Sequence, residues 1–262
     1  LNHLSFFKYI KADGIDITSK IVSDDKAYEN TDLRYFNKDF LMRKQYVPNE
    51  YMYYFYNREQ AVENILGAER TRGEQIADIN EKMTEELSNI DIEKDFEKAL
   101  EIFDYYYGLR ENSYMASETG EKRNSTWHFD MYAPDDGGYA GVALGIIDAK
   151  NSTEKSRIIA CVPNDNKALD FLSESDTVEI SCEIVDGKVT PIKIGDVPFE
   201  NKEIITRVKA YERLASKAII NCDRESAVDC LYLHPLVGSY SLAEKLVDEY
   251  IELNKDFTGE WK

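Results

Sequence analysis

The chain has 262 residues, 43% of them hydrophobic and 31% charged, with a formal net charge of −18. That length and composition suit a folded protein with a sizeable core. The acidity argues against a nucleic-acid backbone as partner, and no apolar run reaches the ~18 residues needed to span a membrane.

The opening segment, "HLSFFKYIKADGIDIT", reads as a hairpin, with two β-prone runs flanking Ala12-Asp13-Gly14. The next stretch, "VSDDKAYENTDLRYFNKDFLMRKQYVPNEY", is polar and irregular, with Pro48 marking a break before the aromatic cluster "VPNEYMYYFYN". The spacing then predicts one long helix over 57–89, with Val62, Ile65, Leu66, Ile76, Ile79, Met83 and Leu87 on its apolar stripe. A second helix is expected in "IEKDFEKALEIFDYYYGLR". A third, rich in small residues, is expected in "GGYAGVALGIIDA", with Ala143, Leu144 and Ile147 facing inward.

The period then changes. "SRIIACVP" and "DTVEISCEIV" read as strands separated by a short helix in "NDNKALDFLSES", and Asp186-Gly187 turns the second strand into "KVTPIKI". The last third returns to helix. Ile204, Ile205, Val208, Tyr211, Ala215, Ala218 and Ile219 form one stripe, and Leu242, Ala243, Leu246, Val247, Tyr250 and Ile251 form another. Helices mixed with mainly antiparallel strands make the class α+β. No strand leads into G-x-G-x-x-G or a P-loop, so the chain lacks the usual βαβ device for a dinucleotide. Cys161, Cys182, Cys222 and Cys230 form no C-x-x-C pair and read as reduced, mostly buried cysteines of a cytosolic protein.

Chemistry is suggested in three places. Continuing the long stripe from Ile65 to Ile76 lands on Glu69 and Arg72 in "GAERTRGEQI". An inward Arg72 suits an oxyanion because its planar fork binds two oxygens, and Gly73 leaves room beside it. The plain alternative is a Glu69–Arg72 pair, or Arg70–Glu74 on the outer face. In the aromatic cluster most rings read as core, but a tyrosine beside positive charge can act as a base. His3, His128 and His234 each read first as structural histidines.

Together, "LNH" followed by a hairpin, "YVPNEYMYYFY", "TRGEQI", "GGYAGVAL", "IKIGDVP" and the terminal "VKAYERLASKAI" and "LHPLVGSYSLAEKLVDEYIELNKDF" resemble the second half of a glycoside hydrolase family four enzyme. The aromatic-rich "PNEYMYYFY" is similar to the 6-phospho-β-glucosidase branch. The resemblance covers essentially the whole chain, in order. It implies a lactate-dehydrogenase-C-terminal-like α+β fold for 1–262, as a catalytic and dimerisation domain. The NAD-binding Rossmann domain and a metal-ligating cysteine would then lie outside this chain.

The chemistry the resemblance implies is an exception to two-carboxylate hydrolysis. NAD takes a hydride from C3 of the sugar, a divalent metal, usually manganese, stabilises the enediolate, and a tyrosine removes the C2 proton. Elimination of the aglycone, addition of water and return of the hydride complete the reaction. By resemblance Tyr51 is the base, with Tyr53 and Tyr54 as fallbacks. Arg72 holds the sugar 6-phosphate, Asn2 positions sugar hydroxyls and His3 is a metal ligand. Asp135 and Asp136 depart from the basic residue many relatives carry before "GGYAG". The implied partner is a phosphorylated disaccharide or glucoside, and the implied state is a cytoplasmic homo-oligomer. Two other readings stay open: a non-catalytic acidic assembly protein that keeps the fold, and the substrate domain of a hydroxy-acid dehydrogenase. The latter would expect a His-Asp pair that the sequence does not show.

Overall fold

Asp13 and Gly14 turn the chain where expected, with φ of 50° and 78°, the double left-handed geometry of a tight hairpin. The strands they join are short. In the computed structural model, which describes residues 4–44, 46–121, 128–130 and 138–262, β2 (Lys11–Ala12) pairs with β3 (Ile15–Asp16). The preceding strand β1 (Phe6–Phe7) does not join that hairpin. It pairs instead with β4 (Val47–Pro48), about 40 residues on. The chain divides into two compact units, Leu1–Phe55 with Gly137–Lys262, and Tyr56–Asp136.

In the first unit, the stretch expected to be irregular is helical. α1 (Thr18–Ser23), α2 (Asp25–Glu29) and α3 (Lys38–Arg43) follow one another. Asp24 caps α2 and Asn37 caps α3, each side chain accepting a backbone N–H three residues on. These helices are too short to show a period, so capping rather than apolar spacing marks them. A short α4 (Tyr53–Tyr56) closes the aromatic cluster.

The second unit corrects the single long helix. α5 (Arg58–Gly67) stops, and α6 (Arg72–Ser88) starts afresh behind a capping box in which Thr71 accepts the Glu74 N–H and Glu74 accepts the Thr71 N–H. Two satisfied N-terminal donors favour a new start over continuation. Glu69 and Arg70 therefore sit in the break. Val62, Ile65 and Leu66 are exposed, whereas Ile76, Ile79, Met83 and Leu87 are half-buried. α7 (Phe96–Asn112), which packs against α6, begins four residues later than expected, and α8 (Ala116–Thr119) follows. Tyr106 donates to Glu86 across α6 and α7, which pushes its phenol up to about 12.

Back in the first unit, α9 (Gly138–Asn151) forms as expected, but Ala143, Leu144 and Ile147 face outward. β5 (Ser156–Pro163), β6 (Thr177–Val185) and β7 (Lys188–Pro191) make an antiparallel sheet in the order β5-β6-β7. Asp186 and Gly187 (φ 50° and 74°) form its tight turn, and a Cβ on Gly187 would lie 3.0 Å from the Lys150 carbonyl oxygen. Alternate β6 residues Val178, Ile180 and Cys182 bury one face against Ala168 and Leu172. The helix expected in 164–175 is only a 3₁₀ turn at Asp165–Lys167. Fully buried Asn164 takes over the backbone there, donating to the Leu169 and Ser173 carbonyls and accepting the Leu169 N–H. Cys182 and Cys230 are buried, but Cys161 is exposed on edge strand β5, and all four cysteines are free.

α10 (Phe199–Asn221), α11 (Arg224–Leu233) and α12 (Tyr240–Leu253) complete the chain. The expected α10 stripe packs inward until Ile219, which is exposed, and Val228, Ala243 and Val247 form a core between α11 and α12. Tyr250 and Leu242 lie outside it. Lys209, unexpectedly buried, donates to the Thr177 carbonyl at 2.6 Å and to Glu212.

Asp176 ties α10 to the sheet. Burial alone would raise its carboxyl, but the Arg213 fork (2.9 and 2.5 Å) and the Ser173 N–H outweigh burial and hold it below the usual range. A folded pKa below the unfolded value adds stability above about pH 4 that is lost as pH falls through the folded value. Asp176→Asn should therefore cost about 1–3 kcal/mol at pH 7, with Arg213 too exposed for more, and should flatten the acid limb of a Tm profile between about pH 5 and 3. Thr71→Ala should cost about 1 kcal/mol in urea unfolding, while Glu74→Gln, which can still close the box, should cost less.

Candidate active site

Two of the predicted site residues, Asn2 and His3, lie outside the described residues, as do Asp135 and Asp136. Their continuation is described. Leu4 is buried, and the Ser5 carbonyl accepts the Asn49 N–H at 3.0 Å, extending the β1–β4 pairing of Phe6 with Pro48 and Phe7 with Val47. Leu4 and Ser5 thus sit at the end of that pair where the Tyr51 turn begins.

Pro48 ends the pairing because it has no N–H to continue the ladder. Asn49, 6% exposed, then caps a 3₁₀ turn over Glu50–Met52, its side-chain oxygen accepting the Met52 N–H at 3.3 Å. The turn directs Met52 (0% exposed) into the core and leaves Tyr51 half-buried. Tyr53 is 4% exposed and packs edge-on against Tyr35 and Tyr54, at 6.3 and 6.4 Å between ring centroids. Of the three candidate bases, Tyr53 is a core ring, whereas Tyr51 and Tyr54 are half-buried. Asn49 escaped the sequence reading. Its signal was an Asn directly after a strand-ending proline, a turn-capping pattern.

Arg72 belongs to the other unit. It is the first residue of the 17-residue α6, directly after the Thr71 cap, and is half-buried. Its Nε donates to the Ser113 carbonyl at 3.3 Å, and its guanidinium lies 5.6 Å from the Tyr114 ring centroid. Neither expected pairing forms. Among the described residues Arg72 meets no carboxylate, while Arg70 pairs with Asp78 rather than with the Glu74 side chain. Gly73 occupies the second helical position rather than an interior one, so its helix cost is small. A Cβ there would meet nothing closer than Thr71 Oγ1 at 3.9 Å. The first turn of α6 therefore offers a guanidinium beside a helix N-terminus, an arrangement that favours an anion.

The remaining histidines are structural or paired. His234 packs against Tyr211 and accepts the Leu236 N–H, and burial, helped by Arg207, pushes its pKa down. His128 meets Asp104 at 2.9 Å. Among the described residues no group of three or more His, Cys, Asp or Glu side chains could hold a metal ion. A groove of about 320 Å³ in the first unit runs along Leu4, Phe6, Tyr46, Ile180, Ile194 and Lys209, and Tyr51 does not line it. No helix among the described residues is long and apolar enough to cross a membrane.

Residues 1–237 match the model of the Family 4 glycosyl hydrolase C-terminal domain. A probable 6-phospho-beta-glucosidase of Bacillus subtilis (strain 168) is 23% identical over 263 residues, covering 98% of this chain and 53% of that protein. The phospho-alpha-glucosidase PagL of Clostridium acetobutylicum is likewise 23% identical, over 260 residues, covering 99% of this chain and 51% of that protein. Among solved structures, the 6-phospho-beta glucosidase of Thermotoga maritima with NAD and glucose-6-phosphate is similar with a TM-score of 0.69 and 22% identity, over 98% of this chain and 53% of that one. The chain spans about half the length of the curated relatives it matches. The α+β, lactate-dehydrogenase-C-terminal-like class expected from the sequence is the fold shared with that structure. With one family model matched from residue 1 to residue 237, the chain belongs to family 4 of the glycosyl hydrolases, in its C-terminal domain.

Proposed function

We propose that this chain is the C-terminal, substrate-handling half of a glycosidase that cleaves 6-phospho-β-glucosides, with NAD held by a segment outside it. The family match over residues 1–237 carries this reading, and relatives named as 6-phospho-β-glucosidases support the substrate class. Arg72 is the cation for the sugar 6-phosphate. Its support is a guanidinium at the start of α6 that meets no carboxylate among the described residues. A dianionic phosphate would gain from both the fork and the helix N-terminus.

Tyr51 is the group that takes the C2 proton of the sugar. Half-burial leaves it reachable, and the Asn49-capped turn holds its backbone, whereas the core position of Tyr53 leaves Tyr54 as the stronger fallback. Asn2 positions sugar hydroxyls, and His3 is the chain's ligand to a divalent ion. Solved relatives carry NAD and manganese. The described residues supply no donor set that fits such an ion, and His3 lies outside them. The roles assigned here are therefore phosphate binding and proton transfer, with no step routed through the ion. The cytoplasm is the proposed compartment, supported by four free cysteines.

The chain alone, given NAD⁺, Mn²⁺ and a chromogenic 6-phospho-β-glucoside, should show no turnover, because its sequence carries no G-x-G-x-x-G or P-loop to hold the oxidant. Calorimetric titration should detect glucose 6-phosphate in preference to glucose. Arg72→Ala should weaken that binding about 10- to 100-fold, the loss of a charge-assisted hydrogen bond or two. Equal affinity of wild type and Arg72→Ala would remove Arg72 from the phosphate site. In the enzyme assembled from both halves, Tyr51→Phe should cut turnover at least ~100-fold while leaving glucose 6-phosphate binding unchanged. Full turnover in Tyr51→Phe would transfer the role to Tyr54.

A further inference from the structure

β7 leaves β6 half covered. It pairs only with Cys182–Val185, and Pro191, which has no N–H, ends the ladder. Ile192 still donates to the Ser181 carbonyl at 2.9 Å, but Ile194 turns away and donates to the Ala168 carbonyl at 3.1 Å. Among the described residues no strand covers that side of Thr177–Ile180. The groove of about 320 Å³ opens there, between this bare stretch of β6, Ile205 and Lys209 of α10, and the entering chain at Leu4–Tyr9. Its walls are recessed: Leu4, Tyr46, Val178, Ile180 and Val197 are each 9% exposed or less. Two ammonium groups border it, and they differ. Lys209 is committed, donating to the Thr177 carbonyl and to Glu212. Lys8 is half-buried, donates to the Ile194 carbonyl and meets no carboxylate among the described residues. That is an unmatched cation in a chain whose acids outnumber its bases 50 to 32.

We infer that this groove binds a small amphipathic monocarboxylate, its apolar body against Ile180, Ile194 and Ile205 and its carboxylate on Lys8. Charge sets the headgroup. An ammonium with a carbonyl on one donor has two left, enough to hold one carboxylate. Glu179 also borders the groove, so a dianion such as a phosphate monoester would bring a charge that Lys8 does not match beside a like charge. Shape sets the size. The volume lies at the small end of ligand pockets, which run from about 300 Å³ upward. The walls also select a small molecule over a strand from a segment outside the chain. The Thr177 carbonyl, which faces the bare edge as that of Ser181 does, is already taken by Lys209. Walls so deeply buried admit one alkyl or aryl body rather than a backbone with side chains. The inference does not rest on Tyr51 or Arg72, so the two readings can fail separately.

Calorimetric titration of the full chain with octanoate and with 1-octanol tests the inference. The two probes share one alkyl chain, and a net charge of −18 works against the anion at long range, so a preference for octanoate reports a local cation. Octanoate should bind about 10- to 100-fold more tightly than 1-octanol, as a charge-assisted hydrogen bond or two predicts. Lys8→Met, which keeps an unbranched side chain, should bring octanoate to the affinity of 1-octanol. Unchanged 1-octanol binding in that variant would show that the groove still forms. Lys8→Arg should keep the preference, and glucose 6-phosphate, directed to Arg72, should not displace octanoate. No octanoate binding at millimolar concentration, equal affinity for the two probes in wild type, displacement by glucose 6-phosphate, or an undiminished preference in Lys8→Met would each overturn the inference. Loss of octanoate binding on assembly with the other half of the enzyme would give the groove to that segment and overturn it equally.

Discussion

The Tyr51 turn depends on the pairing of β1 with β4, two residues from each side joined across about 40 residues of chain. Closing a loop of that length costs about 3 kcal/mol beyond a constant. A few backbone hydrogen bonds, at about 1 kcal/mol net apiece, offset little more than that. The pairing persists because the loop is filled. α1, α3 and the 3₁₀ turn at Asp32–Tyr35 bury Val22, Tyr35, Phe36 and Leu41, each contributing about 1.5–3 kcal/mol. Tyr35 then packs on Tyr53, which seats the aromatic cluster on this same core. The short helices that looked irregular in sequence are what hold the candidate base beside the entering chain.

Where the sequence was legible, local chemistry decided the structure. Asp13-Gly14 and Asp186-Gly187 turned as their backbone freedom requires, and β5 and β6 fell where β-branched alternation put them. The break at 68–71 is hidden from periodicity because helical steps from Ile65 reach Ile76, although they pass through the charged Glu69 and Arg72. The signal that overrides it, Thr71-x-x-Glu74, is a four-residue motif that periodicity cannot register. Asn164 misled in another way, since a buried amide that gathers loop carbonyls lets "NDNKALDFLSES" stay non-helical despite a helical composition. α9 shows a limit of pattern itself. Apolar residues at 143, 144 and 147 demand burial, but a single chain's sequence does not say by what.

The candidate site was legible as residue types and illegible as partnerships. A tyrosine cluster can be read from letters. Which ring enters the core depends on a 3₁₀ turn that rotates Met52 and Tyr53 inward and leaves Tyr51 at the edge. Arg72 was singled out by a stripe that does not exist as one helix. What the structure adds lies in three dimensions: Arg70 is taken up by Asp78, Arg213 by Asp176 and Arg224 by Asp248, whereas Arg72 meets no carboxylate among the described residues and stands at the start of a 17-residue helix.

An acidic chain that binds a phosphate must solve a problem of range. Net charge −18 repels an anion at a distance, but at physiological salt the screening length is about 8 Å, so only the nearest groups decide affinity. Around the first turn of α6 those groups are already committed. Asp78 is matched by Arg70, and the Glu74 carboxylate accepts from the Thr71 N–H and hydroxyl, which hold it well below its usual range. Asp78 and Glu74 are thus each engaged with a donor, and the fork of Arg72 and the α6 N-terminus supply positive field at that turn against the charge of the whole.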